Sequence, residues 1–173
     1  MTEAPLSGLS VIDLTHYIAG SFCMKLLAGM VAEVIKIERM DQGDAARKMG
    51  PFLGDLPEPE KSGTFLYLNT GKKSITLNLK TATGVKILKE LVKATDVLIE
   101  NFEPRVMPGL GLGCETWRIS PRLVMTSISN FGQTGPYREY SATQSASHSD
   151  GDLPRPSTWV ALTCPQKGYH PLS

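Results

Sequence analysis

Two short apolar runs, separated by a stretch of helical period, constrain this chain more than any other feature. "LSVIDLT" (9–15) and "AEVIKIER" (32–39) are rich in β-branched residues and too short for ordinary helices. Between them Ala19, Phe22, Leu26, Leu27 and Met30 recur at helical spacing. The order is strand, helix, strand, for which a parallel pair with a right-handed crossover is the default. The pattern continues. In "KSITLNLK" (73–80) the apolar Ile75, Leu77 and Leu79 alternate with Ser74, Thr76 and Asn78, as in a half-buried strand. "TATGVKILKELVKAT" (81–95) puts Val85, Leu88, Leu91 and Val92 on one helical face. "DVLIENF" (96–102) and "PRLVMTSIS" (121–129) supply two more strands. The expected class is α/β, a Rossmann-like parallel sheet with flanking helices.

Two stretches break the pattern. Residues 40–64 carry Gly, Pro and charge without period, and a loop that long in a compact domain is usually functional or mobile. Residues 144–173 are rich in Ser and Pro, which predicts an irregular tail beyond a folded unit of residues 1–143. Charged residues at 20% and a net charge of +1 describe an ordinary globular protein, with no reason to expect nucleic acid or membrane partners. No run approaches the ~20 apolar residues of a membrane span. The first ten residues, "MTEAPLSGLS", lack the order of a signal peptide, so a cytoplasmic protein is expected. Cys23, Cys114 and Cys164 are widely spaced with no C-x-x-C, which reads as three packing thiols rather than a disulfide framework or a metal site.

The charged pair Glu38–Arg39 sits where the second strand emerges, and in α/β folds that is where a nucleotide's ribose usually lies. A dinucleotide site also needs G-x-G-x-x-G in the preceding turn; here "THYIAGSF" offers Gly20 alone. No P-loop sequence is present either. Arg39, Lys72, Lys73, Lys80 and Arg105 fall at strand ends or adjacent loops and could collect round the phosphates of coenzyme A, or could simply be a solvated face.

The segments "PLSGLSVIDLTHYIAGSF", "LAGMVAEVIKIERMDQGDAAR", "FLYLNTGKKSITLNLKTATG", "ATDVLIENFEPRVMPGLGLG" and "SPRLVMTSISNFGQTGPYREYSAT" decide between those readings. In sequence and order they resemble the N-terminal part of the family III CoA-transferases, the group of the formyl-CoA and carnitine CoA-transferases and the acyl-CoA racemases. The resemblance implies an incomplete large domain of that fold, coenzyme A or acyl-CoA as a substrate rather than a resident cofactor, and a carboxylic acid as acceptor. It also implies an interlocked homodimer for full-length members. The implied coenzyme A contacts are Tyr17, Ile18 and Ala19 at the thioester, and Arg39, Leu77 and Lys80 at the adenine-phosphate end. Asn101 and Phe102 would line the pantetheine arm, and Ser129 and Phe131 the pocket beside the thioester. Arg105 would stand in for a basic residue that the family usually has at the position of Gly109. Formyl-type members carry glutamine at the position of Ile18, and isoleucine cannot hydrogen-bond a formyl or carboxylate group.

The same resemblance implies a transfer of CoA from an acyl-CoA to an acid through an aspartyl intermediate. The expected aspartate lies beyond a small-residue helix after "GPY", and this chain leaves the pattern after Thr143. Asp152 follows a glycine but comes too early, so no catalytic residue is assigned; no metal ligand is assigned either. The racemase branch would need a histidine within 127–131, and none is present. The expectations are therefore a truncated transferase lacking its nucleophile, with the racemase branch and a non-catalytic CoA-binding or partner-binding fragment as alternatives.

Overall fold

The computed structural model describes residues 4–117, 120 and 122–140, and the backbone of 160–163. Strand β1 (Ser10–Asp13) lies at the centre of the sheet, with β2 (Glu33–Glu38) on one side and β4 (Val97–Glu100) on the other, both parallel to it. β3 (Lys73–Thr76) extends the sheet beyond β2, and β5 (Val124–Ser129) extends it beyond β4, again in parallel. A sixth strand, β6 (Val160–Thr163), runs antiparallel to β5 and completes the order β3-β2-β1-β4-β5-β6.

Alternation along each strand divides the core in two. Val11, Val34 and Ile99 face α1 (Ala19–Gly29), where Met24 closes one cluster with Leu27 and Ala28 at its margin. Ile12, Ile37 and Leu98 face the opposite way, against Leu88 and Val92 of α3 (Ala82–Val92). Both faces of the sheet are thus covered, which is why its strands read as near-continuous apolar runs. The expected stripe on α3 is present: Leu88 and Val92 are buried, with Val85 and Leu91 packed beside them. Thr81 caps that helix by accepting a hydrogen bond from the Gly84 N–H at 3.1 Å.

Several elements depart from the sequence reading. All four residues of β3 are exposed, so its alternation does not mark a half-buried strand; Leu77 and Leu79, just past its end, reach the core instead. The 40–64 stretch is built, not free: 3₁₀ turns at Ala45–Lys48, Leu53–Asp55 and Pro59–Lys61 lead into the short helix α2 (Gly63–Leu68). Ser62 organises this segment, donating to the carbonyls of Ala46 and Met49 and accepting from the Phe65 N–H. Two further one-turn helices, α4 (Val106–Gly109) and α5 (Cys114–Trp117), bring Met107 and Trp117 into the core. Cys23 is free and exposed, but Cys114 is disulfide-bonded, which corrects the expectation of three thiols. β6 falls inside the stretch read as irregular from its prolines; the rest of 144–173, including Asp152, lies outside the described residues. Among the described residues no helix is long and apolar enough to cross a membrane.

Candidate functional site

The strand order reverses between β1 and β4, and an open α/β sheet leaves a crevice at the carboxyl ends of the strands at such a point. At that point of this sheet stands the turn between β1 and α1. After Asp13 the chain makes one more sheet bond, from the Leu14 N–H to the Ile99 carbonyl at 2.9 Å, and then turns through Thr15, His16 and Tyr17. The Asn101 side chain, just past β4, clamps the turn from one side. Its Oδ1 accepts from the His16 N–H and its Nδ2 donates to the His16 carbonyl, both at 2.8 Å. From the other side Asp44 Oδ1 accepts from the N–H groups of Tyr17 (3.2 Å) and Ala46 (2.7 Å). Between the two clamps Tyr17 sits at φ 63°, in the left-handed region. A tyrosine there carries strain on the order of 1–3 kcal/mol, which persists only where the surroundings over-determine it.

Gly20 earns its place by contact rather than by phosphate binding. A Cβ on it would lie 2.3 Å from Thr15 Cγ2, so only glycine lets the first turn of α1 close over that side chain. Thr15 in turn donates to Asp13 Oδ1 at 2.6 Å.

Beneath the turn lies a cluster of buried charges. Lys36, 1% exposed, points from the middle of β2 to Asp44 Oδ2 at 2.6 Å, to the Thr15 carbonyl at 2.7 Å and, at 3.9 Å, to Asp13 Oδ2. Lys72 donates to Asp13 Oδ2 at 2.9 Å, to the Ser21 carbonyl at 2.9 Å and to Asn69 Oδ1 at 2.8 Å. Burial would raise the Asp13 carboxyl, but the Lys36 and Lys72 charges and the Thr15 and Lys72 hydrogen bonds hold it below the usual carboxylate range. Burial lowers the Lys72 ammonium. Glu38 closes the far side: it accepts from Arg47 Nε (2.7 Å) and Nη2 (2.9 Å), from Ser74 (2.6 Å) and from the Asp44 N–H (2.9 Å). Against the pull of burial, those bonds hold its carboxyl down to about 2. His16 lies beside these groups, its Nδ1 4.0 Å from Asp44 Oδ2 and its ring 5.8 Å from that of Phe102. Burial lowers its imidazole, and the Lys36 and Arg39 charges lower it further against the pull of Asp44.

The residues singled out in the sequence distribute along this edge as follows. Tyr17 is exposed on the turn, Ile18 packs against Ala46, Phe65 and Leu68, and Ala19 opens α1. Arg39 follows β2, exposed. Leu77 follows β3 and donates its N–H to the Glu38 carbonyl at 3.0 Å, which sets it beside Arg39. Lys80 is exposed in the turn leading to α3. Asn101 and Phe102 follow β4, Phe102 packing on the core and donating its N–H to Glu100 at 2.7 Å. Ser129 ends β5 and Phe131 follows it, in edge contact with Tyr140 at 6.0 Å. The Oγ of Ser129 and the Nε2 of Gln133 are both buried, with no hydrogen-bond partner among the described residues. Arg105 stands apart at the start of α4, paired with Glu103 at 2.8 Å.

Two basic residues leave the suggested phosphate group. Lys72 is consumed by Asp13, and Lys73 pairs with Glu33 at 2.6 Å at the opposite, amino end of its strand. Glu38 is no ribose acceptor, since Arg47, Ser74 and the Asp44 N–H occupy it. Asp44, Lys36 and Arg47 escaped sequence reading altogether. The available signal was Lys36, a lysine inside an otherwise apolar strand, which demands a buried acid nearby. An open groove of ≈ 880 Å³ at the amino ends of β1 and β2, lined by Ile12, Ile35, Ile87 and Leu91, lies at the wrong end of the sheet.

The family model for CoA-transferase family III matches residues 6–154. The chain belongs to that family. It is 45% identical over 141 residues to the acetyl-CoA:oxalate CoA-transferase of Acetobacter aceti, covering 81% of this chain and 35% of that protein. To the human succinyl-CoA:glutarate CoA-transferase it is 42% identical over 147 residues, covering 82% of this chain and 32% of that protein. The crystal structure of a CAIB/BAIF family protein from Brucella suis superposes with a TM-score of 0.75 at 37% identity, over 84% of this chain and 39% of that one. This family III chain thus spans about a third of the length of the curated relatives it matches.

Proposed function

We propose that the described unit is the coenzyme A-binding part of a CoA-transferase that moves CoA from an acyl-CoA to a carboxylic acid. The observation that carries this reading is the company at one sheet edge. The strained turn His16–Ile18 follows β1, Arg39 and Leu77 follow β2 and β3, Asn101 and Phe102 follow β4, and Ser129 ends β5, all at the carboxyl ends of the parallel strands. The strained, exposed Tyr17 and the Ala19 start of α1 would take the thioester end. The Arg39 guanidinium would take the 3′-phosphate end, with Leu77 and Lys80 alongside. Ser129 Oγ and Gln133 Nε2, buried with unspent hydrogen-bonding capacity, fit an oxygen-rich acyl or acceptor group; that favours a carboxylate over a plain hydrocarbon.

The chemistry of such a transfer is covalent: an aspartate carboxylate attacks the thioester carbonyl, giving an anhydride and expelling CoA thiolate, which then attacks the aspartyl carbonyl to give an aspartyl thioester and release the donor acid. The acceptor carboxylate displaces the thiolate to form a second anhydride, and the thiolate attacks its acceptor acyl carbon, giving the new acyl-CoA and freeing the aspartate. Among the described residues the carboxylates near the crevice are committed elsewhere. Asp13, Glu38 and Asp44 hold cations and backbone N–H groups, and Glu100 accepts from the Phe102 N–H and Ser127 while burial pushes its carboxyl up. On this reading the described unit supplies the CoA-binding part, and the aspartyl step belongs to residues outside it. In the complete enzyme an interlocked dimer belongs to the same reading. Titration calorimetry with CoA and with dephospho-CoA tests it: CoA should bind, and loss of the 3′-phosphate should weaken binding in wild type but not in Arg39→Ala. A transferase assay on the same sample should show no exchange. Exchange that is lost in Asp152→Asn would assign a nucleophile to the tail instead.

A further inference from the structure

We propose that Asp44 is a positioning residue, whose buried carboxylate holds the His16–Ile18 turn in the backbone conformation that presents it to the thioester end of the ligand. The proposal rests on the CoA-binding reading above and deepens it. Asp44 is fully buried; Oδ1 accepts hydrogen bonds, while Oδ2 faces the Lys36 charge with no hydrogen bond of its own among the described residues. Oδ1 takes the Tyr17 and Ala46 N–H groups at 3.2 and 2.7 Å, and Oδ2 meets Lys36 Nζ at 2.6 Å with His16 Nδ1 4.0 Å away. Its own N–H is held by Glu38 Oε2 at 2.9 Å, so the acceptor is itself fixed to the end of β2. The turn it grips holds Tyr17 at φ 63°, one of three non-glycine residues with positive φ among the described residues, with Val31 and Asp55.

A purely stabilising role does not account for this arrangement. Replacing a buried ion pair by well-packed apolar residues of similar volume is often neutral, so the Lys36–Asp44 attraction alone is not a reason for stability to require the pair. An apolar pair, however, leaves the Tyr17 N–H without its acceptor, and the left-handed turn without its second clamp. Lys36 is then the counter-charge that lets a carboxylate sit in a dry site. It also holds the Thr15 carbonyl at 2.7 Å, one residue before the clamp formed by Asn101. The turn is thus held by long-range contacts from β2, from the loop after it and from the end of β4, beside the local Thr15–Asp13 bond and the close fit of Gly20.

The test uses the full chain in four forms: wild type, Asp44→Ala, the double variant Asp44→Ala with Lys36→Met, and Val92→Ala. The last is a core truncation beneath α3, remote from the turn. Each is measured for urea midpoint, for exchange of the Tyr17 amide by NMR, and for CoA affinity by calorimetry. The expected result is at least a tenfold loss of CoA affinity and at least a tenfold faster Tyr17 exchange in Asp44→Ala. Both should persist in the double variant although its urea midpoint recovers, while Val92→Ala lowers the midpoint and leaves the folded-state affinity unchanged. Affinity that recovers together with the midpoint overturns the proposal, because Asp44 would then act through stability alone. If wild type binds no CoA, the functional reading falls and the exchange data still decide. Tyr17 protection lost in both Asp44 variants keeps the positioning role; protection retained overturns it.

Discussion

Ion pairs occur at both ends of the parallel sheet, and the two sets do different work. At the amino end Lys73–Glu33 and Arg122–Asp96 bridge neighbouring strands in the open, with Lys73 71% and Arg122 88% exposed along their side chains. At the carboxyl end Asp13, Lys36, Asp44 and Lys72 are within a few per cent of full burial and share each other's charges. An exposed pair gains little, because water screens the attraction and two long side chains lose freedom. A buried set gains little net either, since desolvation offsets the Coulomb term, but it is costly to break, as removing one member strands another charge. The amino end can therefore vary cheaply. The carboxyl end is a unit, and it is the end that holds the turn after β1.

The largest expected effect follows from that contrast. Asp13→Ala strands Lys72, while Lys36 keeps Asp44, and should cost about 3–5 kcal/mol in urea unfolding. A cost below ~1 kcal/mol would mean that water reaches the cluster and that the two ends are alike. Next comes acid. The Glu38 carboxyl is held at about 2 in the folded chain against an ordinary 4.5, so its contribution is complete above 4.5 and disappears as pH falls toward 2. Unfolding free energy should drop by ~2–3 kcal/mol across that window, and Glu38→Gln should flatten that part of the profile. Asp13, also held below its usual range, adds to the loss in the same direction. Third, Arg39→Ala should weaken CoA binding roughly tenfold, ~1.4 kcal/mol, with an unchanged urea midpoint, because this arginine takes no part in the buried set. Smallest is Lys73→Ala, for which thermal melts should coincide with wild type; a clear shift would show that the amino-end pairs are not idle.

The fold was largely legible in the sequence because it is written in periodicity. β1, β2, α1, α3, β4 and β5 fall where the apolar runs and helical spacing put them, to within a few residues at each end. The failures have physical causes. α2, α4 and α5 are only four to six residues long, too short for any period to show. β3 looked half-buried because Ile75, Leu77 and Leu79 alternate, yet the strand stops at Thr76 on the sheet edge and only the residues beyond it reach the core. Among basic residues, Lys72 and Lys73 are neighbours in sequence and end up in opposite circumstances, one against Asp13 and one in solvent.

By itself, then, the sequence determined the α/β class, the strand and helix succession, and a set of residues following strand ends, because those depend on local spacing and on a chain that alternates direction. Only the tertiary structure decided which charges are buried and what they hold. Asp13, Lys36, Asp44 and Lys72 lie as much as 59 residues apart and meet under a turn that none of them belongs to. The same holds for the Asn101 clamp, which reaches His16 across 85 residues. Local preference alone would not keep a tyrosine at φ 63°; contacts closed by the sheet do.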